Sequence, residues 1–187
     1  LALRVSYVGE LGWELHLPME QLVGVYDALW RAGEPLGLSD VGIYAMDSLR
    51  LEKGYRSWKQ DLEIGYSPLA AGLRRFVDFG KGDFVGREAL LREQQSGPRQ
   101  CLVPLLVEAK DADAPPLATV YRGGERVGII TSGGYGHRLR RSLALAYVNG
   151  DLAREGSELE IAIYGERVPA RVAREPLYDP DNARLRA

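Results

Sequence analysis

The feature that most constrains the fold of this chain is a change in the spacing of its apolar residues at Gly97-Pro98. Before this point apolar side chains recur every three or four residues, which is typical of amphipathic helices. After it, short apolar runs alternate with turn dipeptides such as Gly123-Gly124, which is typical of antiparallel strands. The sequence therefore predicts an α+β protein with two domains, covering residues 1–97 and 98–187.

The second domain is predicted to be a small antiparallel β-barrel or sandwich, because six short strand candidates follow one another with regular turns. The candidates span residues 101–107, 118–121, 126–131, 143–148, 158–164 and 168–174. The glycine-rich run Thr131–Gly136 lacks the Gly-Lys-Ser/Thr end of a phosphate-binding P-loop. It predicts instead a strand bend at which glycine permits close approach of another segment.

The first domain mixes strands and helices. Its periodicity and capping residues predict helices over residues 19–33, 40–53, 67–73 and 86–95, and a short strand over 76–79. Arg50 and Glu52 are too close in sequence to face each other on a helix, so we expect them to serve different neighbours. Like most charged helix ends, this one is expected to face solvent.

The first eighteen residues read as two extended runs joined by a tight turn at Gly9–Gly12. Trp13, Leu15 and Leu17 share one strand face and are expected to pack, whereas Glu14 points the other way. Two interpretations of Glu14 stay open. It faces water, or it lines a cavity and grips adjacent N–H donors of a ligand with its two carboxylate oxygens.

Leu1 is not an initiator methionine, and the strand pattern begins almost at once. A strand at a chain end needs a pairing partner. We therefore expect this chain to be a fragment or processed piece of a longer polypeptide.

The loop Gly54–Asp61 carries two aromatic residues, two cations and an acid in eight positions. Functional residues concentrate on loops that a scaffold holds in place. The loop is either the wall of a pocket or a surface loop with one buried tryptophan, Trp58.

Composition narrows the function classes. The formal net charge of −2 argues against a nucleic-acid surface, which needs an excess of Lys and Arg. No apolar run approaches the roughly 20 residues that span a bilayer, and no signal-peptide pattern opens the chain. Cys101 is the only cysteine, so it is expected to pack rather than to form an internal disulfide. With two histidines far from it, no metal site is predicted.

Five motifs, taken in order, resemble the folate-binding aminomethyltransferase family, which comprises the glycine cleavage T-protein and its relatives. They are Tyr7–Glu14 (YVGELGWE), Asp47–Gly54 (DSLRLEKG), Ser67-Pro68-Leu69, Lys81–Leu90 (KGDFVGREAL), and Thr131-Ser132-Gly133 followed by Ala144–Val148 (ALAYV). Each motif alone is weak, but their order and spacing match across nearly the whole chain.

Within this family the chain is more similar to the C-terminal part of dimethylglycine and sarcosine dehydrogenases. Met46 stands where T-proteins usually carry Arg, and the run Leu51–Trp58 is similar to the flavin-linked relatives. Lys59 stands where those relatives commonly have Gly, a departure that bears on the geometry of this loop. In such enzymes an N-terminal flavin domain oxidises an N-methyl group, and the C-terminal region binds tetrahydrofolate, which captures the one-carbon unit.

The resemblance implies a folate site and no catalytic residue in this chain. The family's ligand-orienting Glu matches Glu14, and Tyr7, Tyr55 and Trp58 are the other predicted folate-binding residues. The family's catalytic Asp lies upstream of Leu1 and is not Asp47. The isolated chain is therefore expected to be inactive.

The resemblance also implies the partners. They are tetrahydrofolate, a one-carbon unit from an N-methyl amine, and a missing N-terminal part of the same polypeptide that binds FAD. The compartment implied is the cytoplasm, or the mitochondrial matrix in a eukaryote. Two other functions stay open, namely a non-catalytic folate-binding regulatory or assembly module on the same fold, and a purely structural segment.

Overall fold

The computed structural model describes all 187 residues. The part before residue 97 contains two very short strands, three helices and two 3₁₀ turns. These are β1 (Ala2–Leu3), β2 (Glu14–Leu15), α1 (Met19–Gly33), a 3₁₀ turn (Glu34–Leu36), α2 (Ile43–Glu52), a second 3₁₀ turn (Arg74–Phe76) and α3 (Arg87–Ser96). The three longer predicted helices are confirmed, although α2 begins three residues later than expected.

Two predicted elements are wrong. Ser67 does cap the segment after it, since its Oγ accepts the N–H of Ala70 at 3.0 Å, but only one turn forms before Gly72 adopts a left-handed φ of 71°. The segment 76–79 is not a strand, because a 3₁₀ turn runs into it and no neighbouring strand pairs with it.

The part after residue 99 is a closed antiparallel barrel rather than a sandwich. Its strands are β3 (Gln100–Val107), β4 (Thr119–Arg122), β5 (Glu125–Gly136), β6 (Arg141–Asn149), β7 (Glu158–Ile163) and β8 (Glu166–Val172). They close in the order β3-β6-β5-β4-β7-β8. The domain limits 1–97 and 98–187 stay a prediction.

The predicted bend in β5 is confirmed. The pairing of β5 with β6 shifts register between Ile130 and Ser132. Immediately after the shift, a Cβ on Gly133 would overlap the carbonyl oxygen of Ala114. Glycine is therefore required at Gly133 because the backbone of another segment lies where a side chain would project.

Strand β6 connects the two parts of the chain, because both of its faces are covered. Ala144, Ala146 and Val148 belong to the barrel core. On the other face, Leu143, Leu145 and Tyr147 pack against Leu51 and Ala70 of the first part. This second cluster seats the C-terminal end of α2 on the outer wall of the barrel.

By contrast, the first 49 residues have almost no core of their own. Gly9 is their only buried residue, and α1 buries none of its side chains. The expectation that Trp13 and Leu15 pack is wrong, since they are 60% and 45% exposed. The apolar stripe that the sequence predicts is present, but nothing within the chain covers it.

Candidate functional site

A buried polar network joins the end of α2 to the bend in β5. Arg50 donates from Nη1 to Asp61 Oδ2 at 2.8 Å and from Nη2 to Ser132 Oγ at 3.0 Å. Thr131 and Ser132 both donate to the other carboxylate oxygen of Asp61, at 2.5 and 2.7 Å. Asp61 lies in the loop that follows α2, so this network fixes that loop against the barrel.

The charged end of α2 is therefore buried, which contradicts the expectation that it faces solvent. Arg50, Glu52 and Lys53 are all at most 2% exposed. As predicted, Arg50 and Glu52 serve different neighbours, since Glu52 Oε1 accepts the N–H groups of Arg138 and Leu139 at 2.7 and 2.9 Å. Glu52 Oε2 is buried without a hydrogen-bond partner. The hydrogen bonds that Arg50 and Glu52 Oε1 do make rigidify the junction, because they form in only one arrangement of the segments.

Lys53 anchors the C-terminal tail, residues 173–187. Its Nζ donates to the carbonyl oxygen of Asp179 at 2.6 Å and to that of Tyr178 at 3.3 Å. Beside it, the guanidinium of Arg56 forms an ion pair with Glu175. The tail thus crosses from β8 to the loop after α2 and is fixed there by two cations.

Two of the predicted site residues, Tyr7 and Tyr55, lie together. Their rings stack with centroids 6.1 Å apart and planes at 17°, and the Tyr7 hydroxyl donates to the carbonyl oxygen of Arg56 at 2.9 Å. Burial raises the pKa of Tyr7 and of Tyr55 above the ordinary tyrosine value. Both phenols are therefore neutral at physiological pH, and the hydroxyl proton of Tyr7 is already donated to Arg56.

Tyr55 also lines a cavity of about 420 Å³ between the loop after α2 and the C-terminal tail. Lys53 and Arg56 in its wall are already paired with Asp179 and Glu175, respectively. Arg75, also in the wall, makes no ion pair. The Arg75 guanidinium lies 4.8 Å from the centroid of the Phe76 ring and has no acidic partner. The cavity therefore offers one cation without a counter-charge near the Tyr55 ring, a combination that suits an anionic group carried by a planar ligand.

Glu14 stands apart from this pair, on β2. Its side chain is 57% exposed, and its nearest titratable neighbour is His16, with Nε2 at 3.5 Å from Oε2. No hydrogen bond joins it to Tyr7, Tyr55 or Trp58. Both carboxylate oxygens are free to accept donors, and the ligand role of Glu14 stays a prediction.

Trp58 does not fit the surface-loop interpretation that requires it to be buried, since it is 71% exposed. Next to it, Lys59 adopts a left-handed φ of 67°, the conformation that glycine enters most readily. Lys59 thus occupies a backbone conformation that favours glycine. The folate-binding role of Trp58 also stays a prediction.

Sequence reasoning missed Asp61, whose partners in β5 are 70 and 71 residues away. It also missed Glu10, Arg138 and Tyr178, which lie in contact. The signal that was available is Glu10 itself, a charged residue between two glycines in the turn of the first motif.

None of the helices combines the length and apolar character needed to cross a bilayer. The structure also holds no group of three or more His, Cys, Asp or Glu side chains arranged to bind a metal ion.

Comparison with known families identifies both parts of the chain. The family model described as the GCVT N-terminal domain matches residues 1–81, and that of the glycine cleavage T-protein C-terminal barrel domain matches residues 100–179. The chain belongs to the aminomethyltransferase family. The barrel formed by β3 to β8 lies within residues 100–179, the range that the barrel-domain family model matches.

Individual relatives extend over nearly the whole chain. Human mitochondrial dimethylglycine dehydrogenase is 40% identical over 98% of the chain, and the formaldehyde-forming 4-methylaminobutanoate oxidase of Paenarthrobacter nicotinovorans is 42% identical over 99%. The aminomethyltransferase of Halothermothrix orenii is 34% identical over 92%. The crystal structure of glycine cleavage system aminomethyltransferase T from Bartonella henselae superposes with a TM-score of 0.88 at 29% identity, over 96% of the chain.

The shares covered on the other side are much smaller. The chain spans 22% of each of the first two relatives, 48% of the Halothermothrix aminomethyltransferase and 50% of the Bartonella protein chain. The activities named for those proteins belong to polypeptides two to five times as long.

Proposed function

We propose that this chain is the tetrahydrofolate-binding part of a one-carbon transfer enzyme, namely the C-terminal part of a flavin-linked protein similar to dimethylglycine and sarcosine dehydrogenases. The observation that carries the proposal is the similarity to dimethylglycine dehydrogenase over 98% of this chain but only 22% of that enzyme. The enzyme would act in the cytoplasm, or in the mitochondrial matrix of a eukaryote.

The residues of the chain fit tetrahydrofolate. A reduced pterin presents an amino group and a ring N–H side by side, and the accessible Glu14 carboxylate has two acceptor oxygens with which to bind both. When bound, tetrahydrofolate supplies the nitrogen that captures the one-carbon unit. Glu14 would orient the ring, and orientation alone lowers a barrier by several kcal/mol, about 7 in good cases.

The remainder of the ligand would follow the stacked Tyr7–Tyr55 pair into the cavity between the loop and the tail. Arg75, the cation there that has no acidic partner, would bind a carboxylate of the glutamyl tail. The barrel supports this arrangement from behind, because the Arg50–Asp61 network fixes the loop that carries Tyr55 and Trp58.

FAD does not fit this chain. A dinucleotide of this kind is commonly bound at the carboxyl ends of parallel strands in a βαβ fold, whereas all strand pairs formed by the elements of this chain are antiparallel. The flavin would be bound by a preceding part of the polypeptide. The uncovered apolar face of α1, where Met19 and Val23 are 84% and 68% exposed, supports the presence of such a covering segment.

The test is to express the chain with the region encoded upstream of it and to titrate the product with tetrahydrofolate by calorimetry. We expect stoichiometric binding and, with an N-methylated glycine as substrate, formation of methylene-tetrahydrofolate. The 187-residue chain alone is expected to form none above the uncatalysed rate. Binding without turnover would support the non-catalytic folate module instead, and absence of binding would refute the folate proposal.

A further inference from the structure

Residues 4–13 form the loop between β1 and β2, and Glu14 follows directly after this loop. It is held to the rest of the molecule by contacts with segments far away in sequence. Gly9, at φ of 73°, lies so close to Lys53 that a Cβ there would be 3.0 Å from Cδ, and Leu11 N donates to the carbonyl oxygen of Arg184 at 3.1 Å. The loop is compact, because a Cβ on Gly12 would lie 2.8 Å from the carbonyl oxygen of Val5.

A three-residue cluster completes this attachment. Arg138 Nη2 lies 3.0 Å from Glu10 Oε1, and the Tyr178 hydroxyl donates to the same oxygen at 3.0 Å. The Arg138 guanidinium carbon also lies 4.6 Å from the centroid of the Tyr178 ring. Each member therefore contacts the other two, and the three come from the N-terminal loop, the β5–β6 turn and the C-terminal tail.

The ion pair of this cluster is less exposed than an ordinary surface pair. Only 29% of the Arg138 side chain and 32% of the Glu10 side chain are exposed, so the pair is partly desolvated. The planar guanidinium uses an edge for the carboxylate and a face for the ring, which a lysine at this position does not do. Burial, and then the hydrogen bond to Glu10, raise the pKa of Tyr178, so its hydroxyl keeps its proton at neutral pH.

We propose that Arg138 is a positioning residue for ligand binding, because it fixes the loop of residues 4–13 and thereby places Glu14. The Glu14 side chain makes no hydrogen bond, and its strand pairs only with β1. The loop of residues 4–13 joins these two strands, so the position of the strand pair relative to the rest of the chain depends on that loop. The proposal rests on the proposed folate-binding role of Glu14. It adds that a residue of the barrel domain sets the affinity of a site on the other domain.

The experiment uses the protein with its upstream region and compares Arg138→Met, Glu10→Gln and the double variant. Arg140→Met is the matched control, since Arg140 lies in the same turn and makes neither an ion pair nor a contact with an aromatic ring. We expect each single variant to weaken tetrahydrofolate binding about threefold to tenfold, and the double variant to bind no more weakly than either single one. Arg138→Lys should resemble Arg138→Met, and kcat at saturating folate should be unchanged while KM rises.

A second readout uses the 187-residue chain and no ligand. Amide hydrogens of residues 9–12 should exchange several times faster in Arg138→Met than in the parent and the Arg140→Met control. Unchanged exchange, or additive effects in the double variant, would overturn the proposal.

Glu14→Gln separates the two claims. If it weakens folate binding and Arg138→Met does not, the positioning role is wrong and the proposed function stands. If Glu14→Gln has no effect, the proposed role of Glu14 fails, and the positioning proposal that depends on it fails as well.

Discussion

The guanidinium of Arg50 lies 2.8 Å from the carboxylate of Asp61, and the two side chains are 3% and 0% exposed. Arg50 lies in the last turn of α2, and Asp61 lies in the loop that follows the helix. Through Thr131 and Ser132 the same carboxylate is bound to the barrel. One buried acid therefore holds the helix, the loop with Tyr55 and Trp58, and β5 in a single arrangement.

Asp61→Asn should lower the free energy of unfolding of the chain by about 3 kcal/mol. The amide replaces one of the two acceptor oxygens with a donor, so either Arg50 or the hydroxyl pair of Thr131 and Ser132 loses its acceptor. The substitution also leaves a buried guanidinium without its main counter-charge. The measurement is urea unfolding monitored by tryptophan fluorescence.

The chain offers a matched control for this substitution. Asp47 also pairs with Arg50, at 2.9 Å from Nε, but its side chain is 56% exposed. Asp47→Asn should cost less than about 1 kcal/mol, since exposed pairs contribute little. Equal losses for the two variants would show that burial does not determine the strength of this pair.

Gly133→Ala should destabilise the barrel by about 2 kcal/mol or more, because the new methyl group overlaps the Ala114 carbonyl oxygen and the backbone must move. Gly134→Ala is the control one residue along. Its Cβ would meet only Leu51 Cδ2, at 3.7 Å, which is ordinary contact. Thermal melts of the two variants should differ by several degrees, and a similar small effect of both would contradict the close approach at Gly133.

The bend at Gly133 and the buried end of α2 show what the sequence predicts well and what it does not. The bend at Gly133 follows from local chemistry, since four glycines within a strand pattern that lacks phosphate-loop residues imply close approach. The burial of Arg50 and Glu52 does not follow, because the partners of Arg50 include Ser132, 82 residues away. No spacing rule within a helix reports contacts over that distance.

The failures at the first domain have a related cause. The period of α1 correctly predicts a helix with an apolar face, but a period does not identify the surface that covers that face. Trp13 and Leu15 alternate with Glu14 as strand residues do, yet they remain exposed within this chain. Segment 76–79 has the apolar residues of a strand but no neighbour to pair with, and pairing is what makes a strand stable.

The attachment of the C-terminal tail should weaken in acid through Asp179. Burial by itself would raise the pKa of Asp179, but hydrogen bonds from the N–H groups of Ala183 and Arg184, together with Lys53, outweigh it and lower the pKa below the usual 3.8. Because the folded-state pKa is the lower one, the stabilisation is present above about pH 4 and is lost as the pH falls through the folded-state pKa.

Asp179→Asn removes this titration and keeps a residue that tolerates the left-handed φ of 45° at this position. The difference in Tm between the parent chain and Asp179→Asn should be constant from pH 5 to 7 and should shrink below about pH 4. Asp181 is an exposed acid of the same tail. The Tm of Asp181→Asn should equal that of the parent chain both at pH 5 to 7 and below pH 4. A gap for Asp179→Asn that persists unchanged at pH 3 would show that its charge is not what fixes the tail.

Glu14→Gln tests the predicted ligand contact most directly. The amide keeps the size of the side chain but replaces one acceptor oxygen with a donor, which would then face an N–H of the pterin. Loss of a hydrogen bond to a charged group costs about 1.5–3 kcal/mol, so tetrahydrofolate affinity should fall about tenfold to a hundredfold in the protein that contains the upstream region.

Fold stability should hardly change in Glu14→Gln, because the carboxylate is 57% exposed and makes no hydrogen bond within the chain. The measurements are folate titration by calorimetry and a thermal melt of the same preparation, with Glu20→Gln, another exposed acid, as the control. Unchanged affinity would mean that Glu14 only faces water. Reduced affinity together with a much lower melting temperature would assign Glu14 to holding the β1–β2 pair, and the ligand contact would lose its support.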